Sequence, residues 1–107
     1  MIIPIKTSLM FEKMAEAGFL LSGVFELIES YIRPQISTLE LDKLIEQELT
    51  LRGLKSGSKG FHGYRHVSCI SLNDEVVHGI PSAQKVCRAG DIVKIDVCAS
   101  HEGYFAD

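Results

Sequence analysis

The sequence predicts an α+β fold in which two helices pack on a mostly antiparallel sheet. The first half of the chain places apolar residues at helical spacing, whereas the second half holds short β-branched runs between turn-forming residues. Helices followed by a run of strands are typical of this class. The 107 residues, 46% of them hydrophobic, suffice for one core, so we expect a single domain over residues 1–107.

Charge and cysteine content argue against several classes of protein. The net charge of −3 provides no basic surface for nucleic acid or for an anionic membrane, and no apolar run is as long as a membrane span. Three cysteines without C-x-x-C spacing indicate a reducing compartment. The first six residues lack the basic start and long apolar middle of a signal peptide. We therefore expect a cytoplasmic protein with neither a nucleic-acid nor a membrane partner.

The first predicted helix begins after a cap formed by Thr7 or Ser8 and ends at Arg33-Pro34. Its apolar positions recur at helical spacing: Met10, Met14, Ala17, Leu21, Val24, Phe25 and Ile28. Gly18 and Gly23 each weaken a helix by about 1 kcal/mol relative to Ala, which predicts close packing against a neighbour at both positions.

The second predicted helix begins at a capping box, residues 37–40, and ends before Gly53. Its apolar stripe consists of Leu41, Leu44, Ile45 and Leu49. We expect both helices to cover one face of the sheet, and we assign no chemistry to either stripe.

The middle of the chain changes character. Residues 54–66 are rich in Gly, Ser, Lys and His and are predicted to form a loop, the kind of segment in which function is often found. Residues 67–72 are predicted to form a strand, 73–75 a tight turn and 76–78 a short return strand. The cysteines have no zinc-like spacing, and we interpret them as small apolar core residues: Cys69, Cys87 and Cys98.

Two aspartates lie in the last predicted hairpin, residues 90–107. Asp96 interrupts a β-branched run. Because a buried carboxylate without a partner is costly, this position favours a function for Asp96. Asp107, considered alone, is more simply interpreted as a solvated acid. If the connection is even-numbered, either 101–102 or 100–103, the two residues face one another with Cβ atoms roughly 5 Å apart. A three-residue loop without a bulge would place them on opposite faces. Close carboxylates repel one another unless a proton or a cation lies between them, and metal ions are the natural occupants.

One histidine stands out by position. His78 follows two valines and precedes Gly-Ile-Pro, so its ring is expected at the rim of a sheet, where it can bind a metal or donate to a developing oxyanion. The alternative is a half-buried histidine bonded to a backbone carbonyl. His62 is a weaker candidate of the same kind, and His66 and His101 are interpreted as surface residues.

Four blocks of sequence together resemble the N-terminal half of a bacterial type I methionine aminopeptidase. They are residues 60–64 (GFHGY), 69–81 (CISLNDEVVHGIP), 90–97 (GDIVKIDV) and 103–107 (GYFAD). Their order and spacing agree with the family, and the resemblance covers the whole chain, including the helix cap near residue 37. It implies half of a pita-bread fold.

The resemblance also implies roles for the matching residues. Asp96 corresponds to an aspartate that chelates one divalent metal, and Asp107 to one that bridges two such ions, with Co, Mn, Fe or Zn as candidates. His78 corresponds to the histidine that stabilises the tetrahedral intermediate. The implied substrate is a peptide or nascent protein that begins with Met, and the implied substrate-binding residues are Phe61, His62, Tyr64, Cys69 and His78. An apolar, polarisable pocket suits a thioether side chain.

The sequence differs from the family in ways that lower the activity we expect of this chain. The family completes its metal site with a histidine and two glutamates from a second half, so we expect a truncated or split enzyme with little activity by itself. The missing half or a second copy would then be its partner. Within the pocket loop, Phe61 replaces the usual tyrosine, Arg65 a common proline, and Ser58 the cysteine of some members.

Two alternatives to this enzyme remain open. The chain could be a non-catalytic binding module of the same fold, because exposing the interior of a half-fold leaves an apolar patch that seeks a partner. It could also carry a calcium or magnesium site on an unrelated hairpin fold. That would require the match of four blocks to be a coincidence, and we rank it last.

Overall fold

The computed structural model describes residues 5–76 and 78–107. In this part of the chain two helices precede five short strands, all of them paired antiparallel in two sheets with strand orders β1-β4-β5 and β2-β3. The elements in chain order are α1 (Ser8–Glu29), α2 (Thr38–Leu51), β1 (Lys55–Ser56), a 3-10 turn (Phe61–Gly63), β2 (Cys69–Leu72), β3 (Val93–Asp96), β4 (Ala99–His101) and β5 (Tyr104–Ala106). The predicted α+β class is confirmed.

Helix α1 is capped by Thr7, one of the two residues predicted for that role. Its hydroxyl oxygen accepts a hydrogen bond from the Met10 backbone N–H at 3.2 Å, which satisfies one of the free donors of the first turn. The helix ends at Glu29, earlier than the predicted end at Arg33-Pro34. The reason is that the next three backbone N–H groups, from Ser30 onwards, bond to carbonyls three residues back and tighten the chain into turns.

The buried face of α1 contains four of the seven residues of the predicted stripe; Met10 and Met14 are only half-buried, and Phe25 is exposed. The residues that bury this face are Ala17, Leu21, Val24 and Ile28. The two helical glycines differ. A Cβ at Gly23 would lie 2.7 Å from Nη1 of Arg52, whereas nothing lies within 4 Å of the same position at Gly18. The prediction of close packing therefore holds at Gly23 and is wrong at Gly18.

Helix α2 is capped by Ser37, whose hydroxyl accepts from the Glu40 backbone N–H at 3.0 Å. The chain leaves the helix through Gly53 at φ 74°, a left-handed conformation that glycine adopts without a Cβ clash. The buried face includes three of the predicted apolar residues and two polar ones that the prediction left out: Thr38, Leu41, Asp42, Ile45 and Leu49.

A single apolar core joins both helices to the strands. Helix α1 contacts β4, β5 and α2, and α2 contacts β1, so the helices cover one side of the three-stranded sheet. The core includes Cys87, as predicted, whereas Cys69 and Cys98 are only half-buried. Its members are Leu21, Val24, Ile28, Ile36, Leu41, Ile45, Leu49, Leu54, Val67, Ile70, Cys87, Val97 and Ala99.

The predicted strand at 67–72 is shorter in the structure and has a different partner. It begins at Cys69, because the backbone N–H groups of Val67 and Ser68 donate to a carboxylate on α2 rather than to a neighbouring strand. Its partner is β3. The predicted return strand at 76–78 includes Val77, which lies outside the described residues; the residues on either side of it are not in a strand.

The predicted hairpin at 90–107 is divided between the two sheets. Strand β3 pairs with β2, and only β4 and β5 form the hairpin, around a two-residue turn at Glu102 and Gly103 with φ 51° and 84°. Positive φ at both positions is typical of a type I′ turn. The turn is one residue later than the predicted 101–102. Because β4 pairs Ala99 with Ala106, the next pair would set Asp107 opposite residue 98, so the predicted direct pairing with Asp96 is wrong.

Candidate active site

Asp96 and Asp107 come together at the ends of two strands that belong to different sheets. Asp96 is the last residue of β3, and Asp107 directly follows β5. A side-chain hydrogen bond with Asp96 raises the pKa of Asp107, and desolvation and the negative charge of Asp96 act in the same direction. The structure therefore brings the two carboxyl groups together, although by a register that the sequence did not predict.

The environment of the two carboxyl groups suits a divalent cation. Both residues are exposed, so the expectation that Asp96 is buried is wrong. Close carboxylate oxygens repel when both are charged, and hard divalent ions favour such oxygens. These two donors fit part of a metal site.

An apolar cleft of about 440 Å³ lies beside the carboxyl groups. Four of the five predicted substrate-binding residues line it, together with two others: Ser58, Phe61, Tyr64, Cys69, His78 and Ile80. The fifth, His62, is not among the lining residues; its exposed ring packs edge-on against Phe61 with ring centroids 4.2 Å apart. Ile80 was missed, and its only sequence signal is its place two residues after His78.

The cleft and the carboxyl pair are neighbours because β2 pairs with β3. Cys69 of the cleft lies directly across from Asp96 in the antiparallel ladder. A smaller cavity of about 80 Å³ has both of these residues and His78 among its walls. This smaller cavity thus places His78, Cys69 of the cleft wall and the carboxylate of Asp96 next to one another.

Hydrogen bonds hold two walls of the cleft in place. The Tyr64 hydroxyl donates to the Ser68 carbonyl at 2.8 Å and lies 3.6 Å from the Cys69 Sγ. Partial burial raises the pKa of Tyr64, so the phenol keeps its proton and remains a donor. Ser58, another lining residue, donates its hydroxyl to the His66 carbonyl at 3.0 Å.

His78 owes its position to the glycine that follows it. Gly79 is buried against β2: its N–H donates to Ser71 Oγ at 3.0 Å, and its carbonyl accepts from the Ile70 N–H at 2.8 Å. A Cβ at this position would lie 2.2 Å from the Ile70 carbonyl oxygen, so only glycine fits. With Gly79 fixed, His78 adopts φ 57° and its exposed ring borders the cleft.

Two lysines fix the turn that leads to His78. The Lys85 ammonium donates to the carbonyls of Ile70 and Ile80, each at 3.3 Å, and pairs with Glu75 at 2.8 Å. The Lys94 ammonium donates to two carbonyls of the turn, one of them that of Glu75. A hydrogen bond from the Leu72 N–H holds the pKa of Glu75 below its ordinary value, and a second, smaller contribution comes from the hydrogen bond of Lys85. Apart from the charges themselves, no feature of the sequence predicted this arrangement.

A second group of potential metal ligands lies elsewhere. Glu16, His101 and Glu102 place ligand atoms within 4.8 Å of one another. The Lys13 ammonium lies 2.6 Å from Glu102 Oε2 and supplies the positive charge there, so we assign no metal to this group. His101, 3.4 Å from Glu16, and His66, 3.2 Å from Asp42, are each partly exposed and lie beside a carboxylate.

Comparison with known proteins gives the class of this chain. It belongs to metallopeptidase family M24, whose family model matches residues 12–107. The methionine aminopeptidase of Escherichia coli strain K12 is 43% identical over 108 aligned residues, which cover all of this chain and 41% of that protein. The chain spans about two fifths of the length of the curated relatives it matches.

Solved structures agree with this class. A methionine aminopeptidase from Thermotoga maritima matches with a TM-score of 0.90 at 35% identity, over 97% of this chain and 42% of that one. A Xaa-Pro dipeptidase from Bacillus anthracis matches with a TM-score of 0.81 at 30% identity, over 96% and 27%. These neighbours have the pita-bread fold, and that prediction is confirmed. Among the described residues, no helix combines the length and apolar character needed to cross a bilayer.

Proposed function

We propose that this chain is part of a methionine aminopeptidase and supplies its methionine side-chain pocket and two of its metal-binding carboxylates. The observation that carries the proposal is the ladder pair between Cys69 and Asp96, which sets the apolar cleft next to the carboxyl pair. Membership of family M24 and the similarity to methionine aminopeptidases support it. The reaction is removal of the initiator methionine from a nascent chain, and the substrate is a peptide with a free N-terminal Met.

Each part of the site has a distinct task in this proposal. Asp96 and Asp107 would hold divalent cations, two in a complete site, and such ions supply Lewis-acid polarisation of the amide and a nucleophile at neutral pH. His78, at the rim of the cleft, would donate a hydrogen bond to the carbonyl oxygen as negative charge develops on it. Tyr64 and Cys69 would contact the thioether and exclude water from around it.

The two carboxylates do not make a complete dinuclear site. We infer that residues 1–107 form the N-terminal half of a catalytic domain, and that further ligands come from a second half or a second copy. Three free thiols support the cytoplasm as the proposed compartment.

Metal binding tests the proposed carboxylate site directly. We would titrate the 107-residue chain with Mn²⁺ and follow paramagnetic broadening of backbone NMR signals. Broadening should centre on Asp96 and Asp107, and Asp96→Asn should weaken binding at least about tenfold, because a ligand charge is lost. Glu16→Gln is the matched control, since it changes an acid in the other cluster; it should leave the affinity within about twofold. Equal Mn²⁺ affinity in Asp96→Asn and in the wild type would overturn the assignment.

Peptide hydrolysis tests the need for further ligands. With a Met-Gly-led peptide and Mn²⁺ or Co²⁺, the chain alone should turn over far more slowly than about 1 per second, a typical enzymatic rate. Turnover at that rate or faster would contradict the expected need for a second half. If such activity disappeared in Asp96→Asn, the remaining ligands would come from a second copy of this chain.

One observation favours a second candidate function, a binding module. Five large apolar side chains in the segments around the site are between 58% and 77% exposed: Phe61, Val76, Ile80, Ile92 and Phe105. Such a surface is typical of an interface. Gel filtration together with the hydrolysis assay distinguishes the two candidates, because a stable dimer without hydrolysis favours an independent module and a monomer favours a part of a larger catalytic domain.

A further inference from the structure

Asp42 is a buried acid that the proposed chemistry does not use. It lies on α2, is 5% exposed, and shares the helix face of Leu41 and Ile45. Burial of a carboxylate is costly unless its oxygens accept hydrogen bonds. The partners of Asp42 therefore indicate what it does.

In the described part of the chain, the hydrogen-bond partners of the Asp42 side chain all come from the segment 66–68, which lies 24 to 26 residues further along the chain. Its Oδ1 accepts from the backbone N–H groups of Val67 at 3.1 Å and Ser68 at 3.0 Å, and from the Ser68 hydroxyl at 2.6 Å. Its Oδ2 lies 3.2 Å from His66 Nδ1. One carboxylate thus fixes three consecutive residues.

The anchored segment carries two walls of the cleft. The Ser68 carbonyl accepts a hydrogen bond from the Tyr64 hydroxyl, and the His66 carbonyl accepts one from the Ser58 hydroxyl. Cys69, which also lines the cleft, is the residue after Ser68. No other described element provides side-chain bonds to the backbone N–H groups of this segment. The path from Asp42 to the cleft therefore passes through only one residue.

We propose that Asp42 is a positioning residue for the cleft: through Ser68 it holds Tyr64 and Cys69 where a methionine side chain would contact them. This inference rests on the proposed function for its ligand, an N-terminal methionine, but its geometry does not depend on catalysis. Among the described residues, no hydrogen bond joins Asp42 directly to a residue that lines the cleft or to the candidate metal ligands. Its loss should loosen the cleft without changing the carboxyl pair.

The test compares variants that differ in hydrogen-bond capacity. Asp42→Leu removes every bond at similar volume, whereas Asp42→Asn keeps the Oδ1 acceptor and serves as the conservative rescue. Ile45→Ala is the stability control, because Ile45 is a core residue of the same helix without a polar link to the cleft. If Asp42→Leu fails to fold, Ser68→Ala takes its place, since it removes only the hydroxyl bond.

Two readouts separate positioning from general stability. The first is the NMR spectrum of ¹³C-labelled tyrosine rings, in which Tyr64 reports on the cleft while Tyr31 and Tyr104 are internal references. The second is the dissociation constant of L-methioninamide, measured from the Tyr64 signals. Asp42→Leu should shift the Tyr64 signals alone and weaken binding about tenfold or more, since a loosened wall is misplaced by a fraction of an ångström or more.

The outcomes distinguish this inference from the proposed function. Asp42→Asn should bind within about threefold of the wild type, and Ile45→Ala should keep both the Tyr64 signals and the affinity despite lower stability. Unchanged Tyr64 signals in Asp42→Leu, or an equal change in Ile45→Ala, would overturn the positioning role. If the wild type binds no L-methioninamide, the pocket assignment fails, and the Tyr64 signals alone decide whether Asp42 positions the wall.

Discussion

Replacing Gly79 with alanine should destabilise this chain more than most single substitutions. The added Cβ would lie 2.2 Å from the Ile70 carbonyl oxygen and 2.7 Å from the Ile70 carbonyl carbon and from the Ser71 Cα. All three atoms are backbone of β2, so no side chain can rotate away to make room. The segment that carries His78 would have to move off the strand.

The magnitude follows from the bonds that this movement breaks. The Gly79 N–H bond to Ser71 Oγ at 3.0 Å and the Ile70 N–H bond to the Gly79 carbonyl at 2.8 Å would both be lost. A net hydrogen bond contributes about 1 kcal/mol, and a buried group left without a partner costs about 1–3 kcal/mol. We expect a loss of about 3–5 kcal/mol in the free energy of unfolding, a large part of the 5–15 kcal/mol that is typical of a domain.

Urea unfolding followed by circular dichroism measures this loss. The matched control is Gly18→Ala, a glycine in α1 with nothing within 4 Å of its Cβ position. That substitution should stabilise the chain by about 0.5–1 kcal/mol, because alanine has the higher helix propensity. A loss below about 1 kcal/mol in Gly79→Ala would refute the argument, since it would mean that the segment can shift without breaking its bonds to β2.

Three further substitutions test other parts of the structure. Ser37→Ala removes the hydroxyl that caps α2 and should lower the free energy of unfolding by about 1 kcal/mol; an unchanged urea midpoint would contradict the cap. Gly103→Ala puts a Cβ at φ 84° in the hairpin turn and should cost about 1–2 kcal/mol in the same assay, so a neutral result would argue against the type I′ turn. Glu75→Gln tests pH dependence. The folded pKa of Glu75 lies below its ordinary 4.5, so its contribution is present above that pH and lost as pH falls through the folded pKa. The wild type should exceed Glu75→Gln in stability at neutral pH, and the difference should shrink in acid; a constant difference would exclude linkage to this carboxyl.

The helices show what local sequence can predict. Thr7 and Ser37 both cap the helices for which they were predicted, because a cap and its N–H partner lie three residues apart. The end of α1 was predicted too late, since the turns from Ser30 onwards form from backbone bonds that have no strong sequence signal. A helix cap can therefore be predicted from the sequence, whereas the backbone turns that end α1 early cannot.

The site shows where prediction from the pattern stops. Asp96 and Asp107 were predicted to lie together, and they do, but the turn falls at residues 102–103 and the two residues belong to different sheets. A shift of the turn by one position moves every pair in the ladder, and it places Glu102 and Gly103 at positive φ. Asp42 was not predicted as a site residue because an acid on a helix is usually solvated; its place between Leu41 and Ile45 of the predicted stripe was the only sequence signal.

The sequence by itself determined the α+β class, the helix caps and the family, because these depend on residue types and on contacts within a few positions. The tertiary structure decided how the cleft is built. Contacts such as Asp42 with Ser68, 26 residues apart, and Gly79 against β2 arise only when the chain is folded, and their energy depends on burial and distance. Those long-range contacts set Tyr64, Cys69 and His78 around one cleft.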